Sequence, residues 1–212
     1  MSGVHDLALF VLSGWLLNVT PGPDTLYIVG RSMTQGWRAG ATAALGIGAG
    51  LCLHTLDAAA GVSALLMASA TAFTIVKLLG AAYLVYIGLQ LTLLRSGTGP
   101  LVPAGDQRPV PLRRVFMQGL LTNAVNPKVA LFFLAFLPQF VDAEAPNHFA
   151  ALVFLGVVFN VNGTLWNFFT AWVASRAAGA LERRRRLLDW VNRVTGGLIM
   201  AVGVRLAFMT RD

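Results

Sequence analysis

The sequence predicts an all-α integral membrane protein of about six transmembrane helices, with the first and fourth broken by proline. Three observations point there. Hydrophobic residues make up 56% of the 212 residues and charged ones only 12%, against roughly 45–50% and about 25% in a soluble domain. The apolar residues come in blocks of about 20 or more, the length a helix needs to cross a hydrocarbon core. These blocks also lack the polar stripe of a helix lying on a soluble protein, and mean hydropathy over the chain is +0.68.

In order, the blocks are Leu7–Gly30, Ala39–Leu66, Phe73–Leu94, Val115–Phe140, Phe149–Ala174 and Leu187–Met209. The first follows Met1-Ser2-Gly3-Val4-His5-Asp6, which holds no Lys or Arg. A signal peptide opens on a basic stretch, so this block is expected to remain as a span. The second carries Gly46 and Gly50 in a GxxxG pattern, which suits close helix packing either within the chain or against a second copy in a homo-oligomer. Loops are expected around residues 67–72 and 141–148. A lone cysteine, Cys52, excludes an intramolecular disulfide and CxxC redox chemistry.

The formal net charge of +7 is topological rather than a nucleic-acid footprint, because the arginines fall in alternate loops. Arg31 and Arg38 lie between blocks one and two. Arg95, Arg108, Arg113 and Arg114 lie between three and four, and Arg176 with Arg183 through Arg186 between five and six. The two remaining loops contain no Lys or Arg. By the positive-inside rule the basic loops are cytoplasmic and both termini are outside, with anionic lipid headgroups as neighbours of the basic loops.

The Gly-, Pro- and Arg-rich stretch 95–114 reads as a cytoplasmic linker in a single membrane domain. It divides the chain into 1–94 and 115–212, three spans each. Three spans per half means that the second half enters the membrane from the opposite side, the arithmetic of an inverted repeat. Both halves break their first span: Thr20-Pro21-Gly22-Pro23-Asp24 in one, Asn123-Ala124-Val125-Asn126-Pro127-Lys128 in the other. Each break comes about 12–16 residues in, roughly 18–24 Å along a helix. Proline removes a backbone donor, and the freed polar groups must be buried in protein or line a wet cavity. Paired broken helices at matching positions point to a transporter's binding site, although a plain proline kink has the same spelling.

Asn126 before Pro127 is a good N-cap with proline at the first helical position, and a helix start suits a carboxylate. Lys128 in that first turn opposes the helix dipole, so it should have a partner, either a substrate carboxylate or a protein acid; snorkelling to the interface is the plainer alternative. Asp24 occupies the matching turn of the first break. It is either a locally comfortable helix-start carboxylate or a ligand for a substrate ammonium or coupling proton. His54 and Asp57, three apart on the second block, share a face and could relay protons; Asp57 could instead pair with Lys77 of the third. Asn160 and Asn167, seven apart on the fifth block, could line a polar path or bond between helices.

Enzymatic chemistry finds no support: there is no HExxH, no Gly-x-Ser-x-Gly and no Walker loop. His5, His54 and His148 give no metal-ligand spacing. No cofactor or metal is expected.

At these same residues the chain resembles a known family. Asn18-Val19-Thr20-Pro21-Gly22-Pro23-Asp24-Thr25, then Arg31, Gln35-Gly36, Arg38-Ala39-Gly40 and Ala44-Leu45-Gly46, are similar to the opening of the lysine exporter (LysE) superfamily, threonine/homoserine efflux (RhtB-type) branch. So are Lys77 through Leu84 with Gly88, and Asn123 through Lys128 with Phe132-Phe133 and Pro138-Gln139-Phe140. The resemblance runs essentially the whole length. It implies a secondary transporter of the bacterial inner membrane that exports amino acids or close derivatives, driven by the proton gradient. Pro21, Gly22, Pro23, Asp24, Asn123, Asn126, Pro127 and Lys128 are then the candidate substrate site, with Lys128 and the Asn126-Pro127 helix start taking the carboxylate and Asp24 the ammonium. His54, Asp57 and Lys77 are the candidates for proton coupling. A channel using the same breaks is the alternative reading, and a membrane-embedded enzyme a more distant one.

Overall fold

The computed structural model describes residues 3–68, 70–93, 109–142 and 145–176, with isolated positions between 193 and 208. At 62–68 and at several positions of 70–93, Lys77 among them, only the backbone is described. Seven α-helices follow in order: α1 (Leu7–Val19), α2 (Pro23–Gln35), α3 (Trp37–Ala68), α4 (Ala70–Leu93), α5 (Leu112–Ala124), α6 (Pro127–Phe136) and α7 (His148–Arg176), with a 3₁₀ turn at Leu137–Phe140 after α6. No strand occurs among the described residues; Val4 and Val141 form an isolated antiparallel bridge.

The first five expected spans fall on these helices. The first is the broken pair α1–α2, which runs on to Gln35 and stops at Gly36, whose φ of +78° is a left-handed conformation that glycine adopts without strain. Trp37–Gly61 within α3 and His148–Arg176 are each long and apolar enough to cross a membrane, and α5 with α6 and the 3₁₀ turn, bent by 50° at the break, are together long and apolar enough for a third. One expectation is narrowed. The boundary between the second and third spans falls within the expected stretch 67–72, but helix occupies most of it, because α3 reaches Ala68 and α4 begins at Ala70. Met67-Ala68-Ser69-Ala70-Thr71-Ala72 holds neither Gly nor Pro, so little in it shortens the flanking helices. The linker 95–108, the run Arg183–Arg186 and most of the sixth block lie outside the described residues.

The two broken spans lie side by side and run in opposite directions. At one end the His5 N–H donates to the Phe140 carbonyl (3.1 Å) and the Asp142 N–H to that of Gly3 (3.1 Å). His5 Nδ1 and Asp142 Oδ1 add an exposed contact at 2.8 Å. At the other end Gln35 Nε2 donates to the Val110 carbonyl (2.9 Å), Tyr27 to that of Val115 (2.9 Å), and Arg31 to Gln118 Oε1 (2.9 Å).

Packing around this pair relies on small residues and aromatic rings. A Cβ on Gly46 would collide with the Phe116 carbonyl, and one on Gly119 would lie 2.7 Å from the Ala43 carbonyl oxygen. Gly46 and Gly50 therefore let α3 approach α5 of the same chain closely. Phe10, Phe132, Phe133, Phe136, Phe140 and Phe159 are buried together, with neighbouring rings 4.7–5.3 Å apart at Phe132–Phe136, Phe136–Phe140, Phe132–Phe159, Phe10–Phe140 and Phe133–Phe159. In lipid such contacts stabilise through dispersion and shape rather than through escape from water. The outward faces of α3 and α7 carry exposed Leu45, Leu53, Leu56, Val157, Val161 and Leu165, as a lipid-facing wall should. Where α3 starts and α7 ends, Trp37 packs on Phe168 and the Arg176 guanidinium lies 4.5 Å over the Trp172 ring, the aromatic and basic chemistry of a membrane interface.

Candidate functional site

The site forms where the two breaks meet. Proline disfavours the helical conformation in the residue before it, and the chain obeys this three times: Thr20 before Pro21 (ψ 118°), Gly22 before Pro23 (φ −154°, ψ −172°) and Asn126 before Pro127 (ψ 106°) are all extended. Each helix restarts with proline at its first position. Asn126 caps the second restart as expected, its Oδ1 accepting from the Lys128 N–H at 3.0 Å. Gly22 has no left-handed φ to accommodate, and a Cβ there would lie 3.5 Å from Lys128 Nζ, an ordinary contact distance.

Each break reaches into the other. Asp24, in the first turn of α2, accepts through Oδ2 from Asn123 Nδ2 (2.9 Å) at the end of α5 and from Asn126 Nδ2 (3.0 Å). Lys128, in the first turn of α6, donates from Nζ to the carbonyls of Leu17 (3.0 Å) and Thr20 (2.9 Å) at the end of α1. This answers why a cation sits at a helix start. The last carbonyls of a helix lack partners and carry the negative end of its dipole, so Lys128 is unfavourable for its own helix but favourable for the one opposite. Its hydrogen bonds within the protein thus go to backbone carbonyls rather than to an acid side chain. Two of the three ammonium donors are used in this way.

Behind Asp24, His54 is buried and its Nε2 lies 2.8 Å from the Asn123 carbonyl. A carbonyl can only accept, so Nε2 carries a proton. The His54–Asp57 pair that the spacing allowed does not form; His54 bonds instead to the Asn123 carbonyl. Three residues along a helix leave about 60° between side chains, enough here to bury His54 against α5 while Asp57 lies on the exposed side of α3. Lys77 lies on α4 with its side chain outside the description, so its pairing with Asp57 does as well.

A cavity of about 30 Å³ lies at the crossing, lined by Gly22, Asp24, Asn123, Asn126 and Lys128 from the breaks and by Asn160, Gly163, Thr164 and Asn167 from α7. Leu17, Ile47, Leu51, Val129 and Phe159 supply an apolar wall. Asn160 fits both of its readings: it lines the cavity and also bonds between helices, its Nδ2 donating to the Gly48 carbonyl at 3.0 Å. Three buried polar atoms here lack a hydrogen-bond partner: Asn18 Nδ2, Asp24 Oδ1 and Asn123 Oδ1. Asn18 also lines the cavity, and the sequence reading assigned it no role. Its signal was present, a polar amide in the last turn before the first break of an apolar helix. Among the described residues no group of three His, Cys, Asp or Glu could hold a metal ion.

Residues 15–210 match the family described as LysE type translocator. The chain belongs to the LysE type translocator family. Curated relatives align over nearly their full length. An uncharacterized membrane protein of Pseudomonas aeruginosa is 32% identical over 210 residues, 98% of this chain and 97% of its own. An uncharacterized membrane protein of Bacillus subtilis is 27% identical, covering 95% of this chain and 98% of its own. A leucine efflux protein of Salmonella typhimurium is 27% identical over 208 residues, 97% and 96%. No solved structure matches. The LysE family assignment makes the chain a multi-pass membrane protein of a translocator family and supports a membrane exporter of amino acids.

Proposed function

We propose that this LysE family member exports an apolar amino acid, leucine or a close analogue, from the cytoplasm through the site where its two broken spans cross, coupled to the proton gradient. The observation that carries this reading is a carboxylate and an ammonium on one cavity, hydrogen-bonded to other partners and not to each other. Asp24 keeps one buried oxygen without a partner, and Lys128 keeps one donor beyond its two carbonyl bonds. A zwitterion offers the complement of both. The apolar wall of Leu17, Ile47, Leu51, Val129 and Phe159 suits an aliphatic side chain, in keeping with relatives named for leucine efflux.

Two inverted halves are the frame for this reading. The antiparallel run of α1–α2 beside α5–α6 is what inverted three-span repeats would produce, with their broken first spans crossing at the membrane midplane. Rocking one broken span against the other would open the cavity to either side. His54, joined to the Asp24 network through Asn123, is the candidate for proton coupling that stands nearest the site; Asp57 and Lys77 are candidates away from it. The chain sits in the bacterial inner membrane with both termini outside.

The test is efflux from proteoliposomes loaded with a panel of labelled amino acids, with and without an imposed pH gradient. Saturable, gradient-stimulated release favouring aliphatic amino acids is expected. Non-saturating flux would point to a channel instead, and no release of any amino acid from folded protein would overturn the reading.

A further inference from the structure

We propose that Asn18 is a substrate-contacting residue whose amide donates to the carboxylate of the transported amino acid, opposite an Asp24–Asn123 oxygen pair that takes the ammonium. This rests on the amino-acid export reading and assigns the two ends of the substrate within the site. Burying a polar group without a partner costs stability, and such groups need an explanation. The three orphaned atoms of the crossing divide by chemistry. Asp24 Oδ1 and Asn123 Oδ1 are acceptors, and Asn18 Nδ2 is a donor.

Their positions divide in the same way. Asn123 Nδ2 donates to Asp24 Oδ2 at 2.9 Å, so the two orphaned acceptors belong to neighbouring groups. An ammonium, which has three donors and no acceptor, satisfies both. Asn18 lies instead in the last turn of α1, between the residues whose carbonyls hold Lys128, Leu17 and Thr20. Asn18 and Lys128 both line the cavity, so its one orphaned donor and its one cation among the lining residues face a shared space in which a carboxylate could take both. Across from it stands Gly163 of α7: a Cβ there would lie 3.1 Å from Asn18 Oδ1 and 3.3 Å from Nδ2, tight enough to displace the amide. Glycine at 163 leaves the amide its place.

The test is competition against labelled leucine efflux by two compounds, leucine itself and 3-methylbutylamine, which keeps the ammonium and the aliphatic chain but lacks the carboxylate. Wild type should prefer leucine. In Asn18→Ala that preference, read as the ratio of the two inhibition constants, should fall about tenfold, the scale of one lost charge-assisted hydrogen bond. Gly163→Ala retains the asparagine and should lower the ratio by a smaller factor, so it serves if Asn18→Ala does not fold. An unchanged ratio in a folded variant, with both constants shifted alike, would overturn the assignment and leave Asn18 a packing residue. If wild type exports no amino acid the export reading fails and this assignment with it; if wild type exports leucine and the ratio holds, the assignment alone fails.

Discussion

Lys128 shows how one side chain can serve two helices. Its ammonium is out of place at the start of α6 and well placed at the end of α1, so it ties the breaks together as well as lining the cavity. Replacing it by Met, of similar length, removes two charged hydrogen bonds and leaves the Leu17 and Thr20 carbonyls unpaired. Lys128→Met should therefore lower stability by about 2 kcal/mol or more and abolish leucine efflux, read by thermal melting in detergent and by proteoliposome transport. The residue type and its need of a partner were legible in the sequence; the partner was not. Carbonyl oxygens carry no sequence signature, and which of them are orphaned depends on where the facing helix ends. The partner of His54 was hidden for a related reason. Spacing offered Asp57, but a neighbouring helix, α5, decides which of two side chains 60° apart is buried.

At the scale of the helices, the breaks were the most legible feature, because proline acts on its own neighbours and needs no tertiary context. Thr20, Gly22 and Asn126 take the extended conformations that the prolines following them require. What lay beyond local rules was the crossing itself, which joins Asp24 to Asn123 and Asn126, about a hundred residues away. The α3–α4 boundary falls inside the stretch expected to hold it, but the helices run to Ala68 and from Ala70, because Ala and Thr without Gly or Pro do little to shorten a helix. Glycine positions allow a sharp test of helix approach. Gly119→Ala would set a Cβ 2.7 Å from the Ala43 carbonyl, whereas Gly61 has open space around it. Melting curves should show Gly119→Ala destabilised by about 1–3 kcal/mol. Gly61→Ala should be neutral or stabilised by up to about 1 kcal/mol.

Across the whole molecule, the proposed function requires two halves that enter the membrane from opposite sides. The alternation of basic loops predicts the orientation, and it can be read directly. In a background with Cys52 replaced by Ser, Asn147→Cys in the α6–α7 connection should react with an impermeant maleimide added to intact spheroplasts. Thr98→Cys in the basic linker should react only after lysis; the reverse pattern would invert the topology. The expected orientation and pairing of halves rest on charge and span counting, whereas the cavity emerges only from packing.

The most direct test of the crossing as the substrate site is leucine efflux by Asp24→Asn in proteoliposomes. The substitution keeps the side chain's size and an acceptor for Asn123 or Asn126 but removes the charge that should meet the substrate ammonium. With little change in melting temperature, efflux should fall about 100-fold or more, the scale of a buried charge partner lost. Efflux at the wild-type rate would place the ammonium elsewhere and contradict the account.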